Sequence, residues 1–296
     1  MPDLKPFERP QFRQVLGVFI GTSVLLNIGL AVALNLSDTL GWSPINLTDP
    51  LLLLVLNQFV FGSCSLWVVW QYRRHNINLR SLFGPWPAPS SWRALLGLWI
   101  TLFIFSLGSF QVLYTLLSFW LPEWVNATLQ ESIFLGTGDT SIPWLYNTLI
   151  IVVLVIGAPI LEEFLFRGFL IHRWGTRWNP RIAVILSSIL FGVLHPNPIG
   201  LSVFGLALAL LYLRSRSLGL AIVVHSLNNA IAAGLEILTR IFGWTETPSL
   251  ANFRADVWLG VMFLLVSTPF LVRFVRQNWR ITRTALPYFV RQEGIP

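Results

Sequence analysis

The stretch "IVVLVIGAPILEEFLFRGFL", residues 151–170, sets Glu162, Glu163 and Arg167 inside a run that is otherwise almost wholly apolar. Of the 296 residues, 54% are hydrophobic and 11% are charged, less than half the roughly 25% charged content of a soluble domain. Several apolar runs reach the ~20 residues that cross a bilayer core. The expected fold is therefore all-α, a polytopic integral membrane protein. An ionisable side chain at that depth costs at least ~2.5–3.5 kcal/mol and defaults to being functional, so the same stretch marks where chemistry is to be sought.

Eight hydrophobic segments can be traced outward from it: 15–36, 51–71, 94–121, 142–172, 182–195, 198–213, 217–239 and 255–272. The charges alternate with them. Lys5, Arg9 and Arg13, then Arg73, Arg74, Arg80 and Arg93, then Arg173, Arg177 and Arg181, then Arg214 and Arg216, and finally Arg273, Arg276, Arg280, Arg283 and Arg291 fall in every second connection. The opposite connections hold Arg240 and Arg254 together with most loop acids, among them Asp38, Asp49, Glu123, Glu131, Asp139, Glu246 and Asp256. By the positive-inside rule both termini are expected in the cytoplasm. The net charge of +7 then reads as topology and contact with anionic lipid rather than nucleic acid. Tryptophans such as Trp42, Trp92, Trp124 and Trp244 sit near span ends, as interfacial belts require. Cys64 is the single cysteine; it has no internal disulfide partner and is expected to pack as a small apolar residue. No small-residue cleavage pattern follows the first span, which is read as retained.

No internal repeat or long linker is visible, and breaks such as "FGPWPAPSS" (83–91) are too short for a soluble domain. Residues 1–296 are expected to form one membrane domain, with 1–14 and 273–296 as cytoplasmic tails. The first three spans carry only Asn27, Asn57 and Gln58 as notable interior polar groups. The fourth segment, at ~46 Å of helix, exceeds the hydrocarbon thickness and must tilt, break or protrude, with Pro159 as the natural bend. The fifth and sixth are short and joined by "HPNP" (195–198), so this Pro-interrupted pair is expected to turn around within the membrane beside a buried polar cavity.

Glu163 and Arg167, four residues apart on a helix, can pair. Glu162, about 100° around, is left without a local partner and is the carboxylate available for work. Of the four histidines, His75 in a loop and His172 at a helix end are expected at the surface, whereas His195 and His225 lie inside spans. Measured along their helices at ~1.5 Å per residue, Glu162, His195, His225 and Asn229 reach a similar depth. Asn229 shares a face with His225, and Asn228 points elsewhere. Phe191, four before His195, can wall the pocket and orient the imidazole, though ordinary packing explains it equally well.

E-E-x-x-x-R at Glu162, Glu163 and Arg167, F-x-x-x-H at Phe191 and His195, and H-x-x-x-N at His225 and Asn229 together resemble the three motifs of the CPBP family. These are the CAAX-protease and bacteriocin-processing (Abi) intramembrane endopeptidases, related to the type II CAAX prenyl endopeptidases. The resemblance covers 158–230 and implies a catalytic core over 142–240, an eight-span fold and a membrane-associated protein or peptide as substrate. It implies Glu162, His195, His225 and Asn229 as the catalytic set, with Glu163, Arg167 and Phe191 in support.

Ser187, Ser188 and Ser226 lack an orienting acid and Cys64 is distant in sequence, so no covalent nucleophile is indicated. Glu162 suits general-base activation of water with help from His195, while His225 and the Asn229 amide suit oxyanion stabilisation. Glu162, His195 and His225 also make a zinc-type donor set, although no H-E-x-x-H helix is present; both forms stay open at this point. A proton-conducting transporter is disfavoured by the lack of repeats. A non-catalytic assembly, chaperone or immunity factor on the same fold is the remaining alternative. Oligomeric state and the choice of membrane are not written in the sequence.

Overall fold

The apolar runs between Pro-, Gly- and Asn-containing breaks form helices throughout. A computed structural model describes residues 5–40, 46–85, 92–136, 138–243 and 249–292. Trp42, Trp244, Glu246 and residues 86–91 of the expected Pro-rich turn lie outside them. The helices are α1 (Lys5–Glu8), α2 (Phe12–Leu40), α3 (Pro50–Arg74), α4 (Leu79–Phe83), α5 (Trp92–Leu117) and α6 (Pro122–Gln130), followed by α7 (Pro143–Arg177) and α8 (Pro180–Val193). Then come α9 (Pro198–Ser215), α10 (Leu218–Ile241), α11 (Leu250–Ala255), α12 (Val257–Asn278) and α13 (Pro287–Gln292). Among the described residues, seven spans are long and apolar enough to cross a membrane: α2, α3, α5, α7, α9, α10 and the α11–α12 run. The eighth expected segment is α8, apolar but only 14 residues long. The protein is an all-α, multi-pass integral membrane protein.

Large apolar side chains such as Leu25, Leu66 and Leu265 point outward, where lipid receives them. Several polar groups, Glu163, Arg167 and His225 among them, are enclosed instead. Helix starts follow a repeated local rule. Asp49, Asn179 and Asn197 each precede a proline and accept a hydrogen bond from a first-turn N–H, Leu51 at 2.8 Å, Ile182 at 2.9 Å and Gly200 at 3.1 Å. The side chain satisfies an orphan donor while proline takes the position that needs none.

The expected short pair is present as α8 and α9, which pack closely against each other, with α9 also against α5, and α5 against α12. Close approach depends on Gly192: a Cβ there would sit 2.3 Å from Pro198 O and 2.5 Å from Ser202 N. The turn between them is held from α5. Tyr114 Oη donates to Pro196 O at 3.0 Å, and Asn197 Nδ2 donates to Ser106 O at 2.9 Å and Ser109 Oγ at 3.1 Å. The backbone that "HPNP" interrupts is thereby satisfied by protein, as irregular chain inside a membrane protein must be.

The long fourth segment does not break at Pro159. Its 35 residues run through two π-helical stretches, Val153–Gly157 and Phe164–Leu170, each of which shifts the ladder and re-aims the side chains that follow.

One surface expectation fails. His172 is fully buried: Phe7 of α1 stacks on it at 4.9 Å, and Tyr212 and Tyr288 flank it. Its Nδ1 donates to Arg167 O at 3.2 Å, covering a carbonyl of the π stretch. The segments taken as tails are the cause, because their aromatic residues fold onto this end of the bundle. Phe7, Leu286, Tyr288 and Phe289 are buried, and Tyr288 Oη accepts from Asn78 N at 3.1 Å.

Candidate active site

Glu162 and Glu163 leave α7 about 100° apart, and the fold uses them differently. Glu163 is fully enclosed and its Oε1 accepts two bonds, from Arg167 Nη1 at 2.8 Å and from His225 Nδ1 at 2.9 Å. Arg167, also enclosed, donates on to Gly205 O at 3.0 Å and lies over the Phe191 ring at 4.7 Å. The pair expected from the spacing is therefore a three-membered bridge from α7 to α10. Sequence reasoning missed the third member because Glu163 seemed neutralised by Arg167 alone and His225 was assigned to the oxyanion.

Glu162 turns the other way, into a cavity of about 390 Å³. Its Oε2 has no hydrogen-bond partner among the described residues and stands 3.6 Å from His195 Nε2 and 3.9 Å from His225 Nε2. These separations are too long for direct hydrogen bonds. Both imidazoles have their tautomer assigned by their other nitrogen. His195 Nδ1 is 2.6 Å from Phe191 O, and since a carbonyl only accepts, Nδ1 carries the hydrogen. His225 Nδ1 carries one toward the Glu163 carboxylate. In the neutral rings both Nε2 atoms present lone pairs to the cavity.

Phe191 takes its place in the cluster, 4.5 Å from the His195 ring and edge-on to His225 at 5.7 Å. Asn229 lines the cavity, but one amide hydrogen is already used: Nδ2 donates to Leu154 O at 2.8 Å. Ala158 N–H serves Val153 O and residue 159 is proline, so the Leu154 carbonyl has no donor from its own helix. Asn229 replaces the missing N–H. One amide hydrogen is thus engaged with the protein, which leaves the second for substrate. Asn228 bonds Asn229 Oδ1 at 3.4 Å.

Ser187 and Ser188 bond their own helix at Val184 O, and Cys64 lies buried against Val15 O; none reaches the cavity. α3 contributes Asn57 and Gln58 to the lining. Ile133 also lines the cavity, in a segment clasped by α10: Glu236 accepts from Ile133 N at 3.1 Å and Phe134 N at 3.2 Å, and Arg240 donates to Ser132 Oγ and Phe134 O.

The fold and cavity define a multi-pass membrane protein with Glu162, His195, His225 and Asn229 lining one cavity between its spans. Residues 142–231 match the family model described as type II CAAX prenyl endopeptidase Rce1-like. The match spans every motif residue named above and bears out the resemblance read from them. In general terms it supports a membrane-embedded protease acting on membrane-associated protein. No curated protein and no solved structure matches the chain.

As a zinc site the cluster has suitable donors, namely two imidazole lone pairs and a carboxylate oxygen. Tetrahedral zinc with bonds near 2.0–2.1 Å sets neighbouring ligand atoms about 3.3 Å apart; here Oε2 stands 3.6 and 3.9 Å from the two nitrogens, so the three donors would have to draw together to hold an ion. Among the described residues no group of three His, Cys, Asp or Glu is arranged to hold an ion.

Proposed function

We propose that the chain is an intramembrane endopeptidase that hydrolyses a peptide bond with a water molecule activated by Glu162 and His195. The observation that carries the reading is the convergence of Glu162 Oε2 on two Nε2 lone pairs inside one cavity. A water there gives one hydrogen to Glu162 and the other to His195, which turns its oxygen lone pair toward a scissile carbonyl. Attack forms the C–O bond while Glu162 takes the proton, and collapse breaks the C–N bond as that proton passes to the leaving amine. The second Asn229 hydrogen is a donor for the oxyanion, and His225, fixed at Nδ1 by the Glu163 carboxylate, lines the same cavity. Asn57 and Gln58 give the wall polar groups for the substrate backbone. The alternating arginines support cytoplasmic termini.

The test compares membrane peptidomes of cells carrying the wild type, Glu162→Gln or His195→Ala. The same cleavage products should vanish in both variants. Unchanged peptidomes, with Glu162→Gln complementing the null phenotype, would establish an assembly factor instead. For the metal-free form, exhaustive chelation should leave the rate of purified enzyme unaltered; a loss restored by zinc would overturn it.

A further inference from the structure

Away from the catalytic cavity, the start of α2 and the last turns of α7 enclose a second cavity of about 200 Å³. Three guanidinium-bearing residues line it, Arg13, Arg173 and Arg177, with Trp174 and Trp178 beside them and no carboxylate in the lining. Arg173 is the telling member. It is only 7% exposed; its carbonyl accepts from Thr176 Oγ1, and its guanidinium has no hydrogen bond or ion pair among the described residues. The other enclosed arginine, Arg167, is fully engaged by Glu163 and Gly205. Glu8 acts on Arg173 only at longer range, opposed by the like charge of Arg177. A nearly enclosed guanidinium sharing a cavity with two more calls for an anion, and guanidinium forks match phosphate geometry.

The same site has an apolar extension. Phe12 also borders an adjoining cavity of about 230 Å³ whose lining, including Val15, Phe61, Leu165 and Phe169, is wholly apolar. The two linings share Phe12, and the apolar one lies between α2, α3, α7 and α8. An anion-binding head beside a hydrocarbon slot is the shape of one amphiphile. We propose that Arg13, Arg173 and Arg177 bind the phosphate of an anionic phospholipid whose acyl chain lies in the groove behind Phe12. The aromatic residues at the mouth suit the interfacial level such a headgroup occupies. The site does not depend on the endopeptidase reading.

Full-length protein in nanodiscs of phosphatidylcholine with a minor share of phosphatidylglycerol, released and weighed by native mass spectrometry, tests this. The wild type should retain one phosphatidylglycerol in preference to phosphatidylcholine. Arg173→Gln should cut that retention tenfold or more. Arg13→Gln, at an exposed position that folding tolerates, should weaken it in the same direction. Val15→Trp, which fills the groove, should reduce lipid retention while leaving inorganic phosphate binding at the arginines unaltered. Equal retention by wild type and both arginine variants, or no preference between the two lipids, would overturn the proposal. Complete displacement of the lipid by inorganic phosphate would also overturn it, reassigning the cavity to a free anion.

Discussion

The same chemical change one residue apart should have opposite consequences. Glu163→Gln leaves Arg167 enclosed with a neutral partner and removes the charge beside His225 Nδ1. Breaking an enclosed ion pair from one side costs about 3–5 kcal/mol, most of it the cost of the charge left behind. At roughly 2–4 °C per kcal/mol, this corresponds to a fall in melting temperature on the order of 10 °C. Glu162→Gln removes a carboxylate that makes no hydrogen bond to protein among the described residues, so stability should stay within about 1 kcal/mol of wild type. Its rate should fall about 10²–10⁴-fold with loss of the general base. The assay is thermal unfolding of both purified variants by tryptophan fluorescence, alongside turnover of a cleavable reporter in liposomes. A stable Glu163→Gln beside an unstable Glu162→Gln would refute the division of labour between the two acids.

Asn229→Leu leaves Leu154 O without its donor and should cost about 1–3 kcal/mol as well as activity; a rate loss with unchanged unfolding would confine Asn229 to the oxyanion. Gly192→Ala drives a Cβ into Pro198 O and Ser202 N, and overpacking of this kind costs about 1–3 kcal/mol or more, so both melting temperature and turnover should drop. Asp49, at the start of α3, is held well below the usual carboxylate range by hydrogen bonds from Ser141 and Thr140. Because its folded pKa is depressed, its stabilisation is complete above the unfolded value near ~4 and fades as pH falls below that. Melting temperatures taken from pH 6 to pH 3 should therefore decline more steeply for wild type than for Asp49→Asn. Gln58→Leu should raise KM more than it lowers kcat if that side chain holds substrate; an unaltered KM removes α3 from substrate contact.

Much of this protein was legible without coordinates. The membrane class, the apolar runs and the short helical pair follow from apolar run length set against bilayer thickness, whereas the eighth counted segment, α8, is only 14 residues long and seven spans among the described residues are long enough to cross. The Glu163–Arg167 pair and the shared face of His225 and Asn229 follow from helical periodicity, which acts over four residues. The structure brings Glu162, His195, His225 and Asn229 to one cavity, in keeping with the depths counted along their separate helices.

What the sequence could not specify depends on neighbours distant along the chain. Whether His172 is wet depends on Phe7 and Tyr288, more than a hundred residues away in each direction. Glu163 serves His225 as well as Arg167 because a π-helical stretch and the crossing of α10 bring them within 2.9 Å, and no local spacing encodes a crossing. Asn229 meets Leu154 only because Pro159 leaves a carbonyl unserved and a separate helix passes close enough to serve it. Periodicity assigns a residue to a face. Which groups that face meets, and so which acid is neutralised and which is free, is decided by packing between helices.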